Sequence, residues 1–139
     1  MSNIDYSKTV TPEKVLSITR ERLLSLLSEL RKSQEEVGCV LPNGTRMQTD
    51  RASRAELTAQ PMLRQQGVAA GPVYWKSLQG WVTLSEDMLG QTLWQVSTHV
   101  QACFKAEQLV AAEIETGKLS TLPEIEAAFA EHLKTALVR

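Results

Sequence analysis

Cysteine is nearly absent from this chain: Cys39 and Cys103 are the only two, and nearly half its length separates them. Nothing points to secretion, so both read as reduced, buried, small apolar residues rather than as a disulfide framework. The opening segment Met-Ser-Asn-Ile-Asp-Tyr-Ser-Lys lacks the charged and apolar regions of a signal peptide. Without a secretory route, the glycosylation-like run Asn43-Gly44-Thr45 reads only as a turn. No apolar run approaches the length that crosses a bilayer, so no membrane partner is expected. A net charge of −1 excludes a general attraction to nucleic acid or acidic lipid. There is also no internal repeat, no low-complexity tract, no Gly-rich phosphate loop, no nucleophile elbow and no His-containing triad. No catalytic residue and no cofactor are therefore assigned.

What is present is ordinary in bulk and specific in detail. At 139 residues, 42% hydrophobic and 22% charged, the chain is long enough for one domain with a real core. Charge is uneven. Residues 46–76 carry Arg46, Arg51, Arg54, Arg64 and Lys76 against Asp50 and Glu56, whereas residues 77–139 hold eight acids against four bases. Such asymmetry can steer two segments or two subunits together.

Gly38–Arg54 is the most informative stretch. Asn43-Gly44 between apolar residues predicts a type I′ hairpin over Cys39–Gln48, with φ > 0 at both central residues. Thr49 or Asp50 then caps a helix from about Asp50 to Gln66, which Pro61 should break or kink.

Upstream, residues 1–10 read as an extended arm. Thr11-Pro12 opens a helix that runs to about Glu36. Leu16, Leu23, Leu30 and Val37 recur at seven-residue intervals, with Leu26 and Leu27 between them. Five bases (Lys14, Arg20, Arg22, Arg31, Lys32) and five acids (Glu13, Glu21, Glu29, Glu35, Glu36) balance on the other face.

Downstream, residues 67–72 form a loop. Val73–Ser77 and Trp81–Leu84, joined around Leu78-Gln79-Gly80, predict a second hairpin. Alternation puts Trp75 with Val73 on one face, and Tyr74 and Lys76 on the other. Ser85 caps a long helix reinforced by Glu86 and Asp87, with Leu84 and Leu89 as a hydrophobic staple. The apolar positions Leu89, Leu93, Val96, Val100, Cys103 and Val110 carry it to Gly117. Thr121–Glu124 is a capping box for a last helix through Ile125, Phe129 and Leu133.

The expected fold is α+β: two long and two shorter helices packed with two small β-hairpins, in an elongated molecule. Residues 1–37 form the arm and a possible oligomerisation helix, and residues 38–139 form the hairpin-helix-hairpin-helix-helix domain. A helix over Glu86–Thr116 spans about 45 Å at 1.5 Å per residue. A compact chain of this length has a radius of gyration of about 14 Å. Two long helices therefore overhang a compact monomer, which favours an elongated shape or an oligomer.

The order of these segments also resembles a domain of unknown function found in bacteriophage and prophage tail proteins, often in or beside tail-fibre and tail-fibre-assembly genes. The segments are Gly38–Gln48, Thr49–Arg54, Val73–Trp75, Trp81–Met88, Val100–Glu107, Ile114–Gly117 and Leu122–Ile125. The resemblance covers most of the chain and is strongest over residues 38–131. Leu78-Gln79-Gly80 departs from it, because relatives often carry Asp-Asn-like residues at that turn. The resemblance implies a non-enzymatic tail or tail-fibre-associated protein, located in the virion or in the host cytoplasm during assembly, whose partners are other tail or fibre proteins. The runner-up is a fibre-assembly chaperone absent from the finished particle. A small nucleic-acid binder is the third alternative.

Candidate interface residues follow from the two unassigned features. Leu16, Leu23, Leu27 and Leu30 either pack on the chain's own long helix or bury a seam between subunits. Arg51 and Arg54 either join Asp50, Glu56 or the acidic C-terminal helices in surface ion pairs, or bind phosphate or an acidic partner. His99 and Cys103, four apart, share a helix face, but two ligands do not make a metal site and none is assigned.

Overall fold

The computed structural model describes residues 11–138, and for residues 14–18 it describes the backbone alone. The first helix, α1, spans Pro12–Glu35, with Pro12 at the position whose missing N–H costs nothing. Beyond it Gly38 takes φ 95°, a conformation glycine adopts without strain. The chain then enters an antiparallel pair, β1 (Cys39–Val40) and β2 (Arg46–Met47), in which Cys39 faces Met47.

The connection is not the expected type I′ turn. Gly44 N–H donates to Leu41 O at 2.9 Å, and no described residue other than glycine has positive φ. Asn43 therefore sits at the third position of a type I turn. Pro42, with its fixed φ, supplies the second position, and Gly44 at φ 86° absorbs the left-handed step. Leu41 N–H then bonds Thr45 O at 2.8 Å.

Of the two cap candidates, Asp50 takes the role for α2 (Arg51–Gln65), accepting from Ser53 N at 3.1 Å. Thr49, fully buried, instead accepts from Gly38 N at 2.9 Å and ties the two ends of the first hairpin together. Pro61 does not break the helix. It lies inside α2 at an exposed position, where its ring meets solvent rather than a packed neighbour.

The second hairpin pairs β3 (Val73–Ser77) with β4 (Gly80–Leu84), closed by Leu78-Gln79. Ser77 Oγ accepts from Gln79 N at 3.1 Å and donates to Gly80 O at 2.8 Å, pinning that loop. Ser85 caps α3 (Glu86–Glu115), and Leu84 and Leu89 close over the cap as a staple inside one apolar cluster. Gly117, at φ 78°, follows the end of α3. Thr121 caps α4 (Leu122–Leu137), its hydroxyl accepting from Glu124 N at 3.4 Å while the Glu124 carboxylate returns to Ser120 N. Four helices with two small antiparallel sheets make the fold α+β.

α3, about 45 Å long at 1.5 Å per residue, serves two cores. Its C-terminal half joins α1 and α4 through Leu23, Leu27, Val110, Ile114, Ile125 and Phe129. Its N-terminal end joins both hairpins and α2 through Leu41, Met47, Leu57, Val73, Leu84 and Leu89. Between them lie the buried Val96, Val100 and Cys103. The bundle answers the question of the leucines. Leu23 and Leu27 are buried against α3 and α4 of the same chain, and Leu30 is partly buried on the same cluster, so these residues do not form an exposed seam for a second subunit. Val37, their heptad continuation, is 46% exposed. The side chain of Leu16 and the arm over residues 1–10 lie outside the described residues. Within the described residues no helix is long and apolar enough to cross a membrane.

Candidate functional site

Two surfaces have the chemistry to meet another molecule. The first is built where α2 starts beside α1 and α3. The cap Asp50 takes hydrogen bonds from the Ser53 hydroxyl, at 2.6 Å, and from Ser53 N, and these hold its carboxyl below the usual range. The first turn of α2 then carries two arginines with different fates. Arg51 is exposed, whereas Arg54 turns inward and pairs with Glu35 at the end of α1. Glu35, only 2% exposed, also receives Arg31 Nη1 at 2.5 Å. Arg31 Nε reaches Glu107 Oε2 on α3 at 2.6 Å, and Glu107 Oε1 accepts from the Ser28 hydroxyl at 2.9 Å. The face of Phe104 covers the Arg31 guanidinium, 4.6 Å from the ring centroid.

The result is a charge-balanced chain, Arg54–Glu35–Arg31–Glu107, that links α2, α1 and α3. Burial pushes Glu35 toward its neutral form, but the Arg31 hydrogen bond and the charge of Arg54 outweigh it and hold the carboxyl below its ordinary value. Above this network a cleft of about 470 Å³ runs between α2 and α3, with Leu57, Leu93 and Phe104 among its apolar lining and Arg51 and Arg54 at its polar side. Of its charged lining groups, Glu35 and Arg54 pair with one another while Arg51 is exposed, and Thr58 and Ser97 add hydroxyls.

His99 and Cys103 lie deeper along α3. His99 Nε2 bonds Gln34 O at 2.8 Å, and the Cys103 sulfur is 4.0 Å from that nitrogen. Burial and the nearby Glu35 charge push the Cys103 thiol up to about 11, the opposite of a reactive or metal-binding thiolate. Among the described residues no three His, Cys, Asp or Glu side chains gather to hold a metal.

The second surface is the outward face of the β3–β4 hairpin. The register places Tyr74 opposite Thr83 and Lys76 opposite Trp81 on one face, away from Val73, Trp75 and Leu84. Trp75 is half-buried, and its indole N–H donates to Gln48 Oε1 at 3.2 Å. Tyr74 and Trp81 are 75% and 77% exposed, with Lys76 Nζ 5.7 Å from the Trp81 ring centroid. Two of the chain's few aromatics are thus bared on one face of the hairpin, and such residues dominate interface energetics where they occur. Alternation alone placed Tyr74 and Lys76 together; adding Trp81 to that face required the register, which a two-residue loop fixes.

The scaffold is α+β, with a buried ion network joining three helices and two exposed aromatics on one hairpin. Residues 18–131 match the family described as a domain of unknown function, DUF4376, and the chain belongs to that family. No curated protein and no solved structure matches it.

Proposed function

We propose that this chain is a non-enzymatic bacteriophage tail or tail-fibre-associated protein that works through protein–protein interfaces, as a homo-oligomer or with other tail proteins. The observation that carries the binding role is the shared exposure of Tyr74 and Trp81 on one hairpin face. The tail setting rests on the resemblance of residues 38–131 to phage and prophage tail proteins. The α2–α3 cleft supports the same reading, because its charged residues neutralise each other and Arg51 alone is left toward solvent.

Mass spectrometry of purified particles is the test. A tail component is found in virions at fixed stoichiometry, and the double substitution Tyr74→Ser/Trp81→Ser lowers its incorporation while leaving the helical circular dichroism intact. Presence in infected cells but absence from finished particles makes it an assembly chaperone instead. Absence from both, with a salt-sensitive shift on DNA or RNA, refutes the proposal in favour of nucleic-acid binding.

A further inference from the structure

We propose that the free edge of β4 pairs with β4 of a second copy of this chain, antiparallel about a two-fold axis at Val82, to make a four-stranded sheet. This deepens the homo-oligomeric reading above and rests on it for its biological meaning, but it stands on separate geometry. With Ser77 and Gly80 closing a two-residue loop, alternate pairs along the ladder exchange hydrogen bonds. Gly80, Val82 and Leu84 therefore turn their backbone groups toward β3, whereas Trp81 and Thr83 turn theirs outward. An independent contact agrees: Lys76 O, which the same alternation directs away from β4, accepts from Gln48 Nε2 at 2.8 Å. The outer edge of β3 is thus engaged by the first hairpin, which also sends Arg46 N to Gln79 Oε1 at 3.3 Å. At the outer edge of β4, no backbone hydrogen bond is made among the described residues.

That edge also lacks every usual guard. Gly80–Leu84 contains no charge and no proline, its pairing with β3 has no bulge, and three of its five residues, Trp81, Val82 and Thr83, favour strands. Residues 57–85 contain no acid at all. The strand is, moreover, complementary to itself. With Val82 facing its own symmetry mate, Trp81 lies opposite Thr83 of the second copy, and each such pair exchanges both of its hydrogen bonds. Each indole then packs against a β-branched neighbour, a favoured cross-strand pairing. Like charges do not oppose one another: Lys76, the hairpin's one charged residue, sits on β3, with its backbone about 14 Å from its mate at three strand spacings. An edge of five residues from each copy is short beside the ~1,200 Å² of a standard stable interface, so the dimer forms reversibly and at high concentration.

Sedimentation velocity on the full chain over a wide concentration range tests this. The expected result is a monomer that doubles in mass as concentration rises, with hydrogen exchange at the Trp81 and Thr83 amides slowing in parallel. Thr83→Pro removes an outward N–H without touching the β3 ladder and should raise the dissociation midpoint about tenfold or more, while Thr83→Val leaves it near wild type. Should Thr83→Pro fail to fold, Thr83→Lys guards the same edge and carries the same expectation. A wild-type monomer at every concentration overturns the inference, as does a dimer indifferent to these edge variants. Protection of both amides in the monomer also overturns it, because the chain then covers its own edge. A monomer that nevertheless enters particles separates this failure from failure of the tail-protein reading.

Discussion

Replacing Glu35 by Gln puts the greatest strain on the interior of this molecule. Glu35 is held between Arg31 and Arg54, and the glutamine keeps its volume and one acceptor while deleting the charge. Arg31 is 7% exposed and keeps Glu107, but Arg54 loses its only ion-pair partner among the described residues, and its Nε already lacks one. Breaking one partner from a buried pair costs about 3–5 kcal/mol, and the retained shape and Glu107 place Glu35→Gln near ~3 kcal/mol at the low end. At about 2–4 °C per kcal/mol for a domain near this size, the midpoint of thermal unfolding should fall by roughly 10 °C. Urea unfolding at neutral pH gives the difference directly, and adding Arg54→Met should recover part of it by removing the stranded charge. The pH dependence supplies a second check. Glu35's carboxyl is lowered in the fold, so its contribution is complete above the unfolded-state value of about 4.3 and is lost as pH falls through the lower folded-state value. The gap between wild type and Glu35→Gln should therefore stay level above about pH 6 and shrink on acidification. A loss under ~1 kcal/mol, typical of an exposed pair, or a gap that widens in acid, refutes the account of a sealed network.

Further expectations concern single positions. Cys103, buried and with its thiol pushed up to about 11, should resist iodoacetamide in the native protein while Cys39 reacts first; equal native rates would contradict its placement. Pro61→Ala should raise the urea midpoint by the equivalent of about 1–2 kcal/mol, since proline costs ~3 kcal/mol in a helix interior and its effect on the unfolded chain offsets part of that. No gain would mean α2 is already interrupted there. Gly38→Ala should lose about 2 kcal/mol, because φ 95° is strained for alanine and the new Cβ would stand 2.9 Å from Met47 O. A loss too small to measure by urea unfolding would show that the segment takes another path.

Helix ends were legible in the sequence because capping is local: Ser85, Thr121 and Asp50 each act within three residues, and each caps a helix. The first hairpin was legible in position but not in turn type, because Pro42 takes the second turn position and leaves Asn43 no need of positive φ. Pro61, expected to break or kink α2, does not break it: the helix runs through Arg51–Gln65 and forgoes the one hydrogen bond that proline's missing N–H cannot give. Partners were the hardest part. A heptad of leucines records that one face is apolar, not whose surface covers it, and here α3 and α4 do. The ion network was missed because Arg31 and Glu35 count as solvated charges in composition. Their signal was geometric: they extend the line Leu23, Leu27 in steps of four and so continue the buried face.

A single rod running through both apolar clusters has a consequence for how the molecule comes apart. The two halves touch chiefly through α3 and the charged seam of Arg54, Glu35, Arg31 and Glu107. The hairpin end has two short sheets, each of only two strands, which hold little cooperativity on their own. Amide exchange along α3 should therefore proceed in two tiers, fast near Leu89 and slow near Val110, because the N-terminal end opens as its own foldon while the three-helix end stays closed.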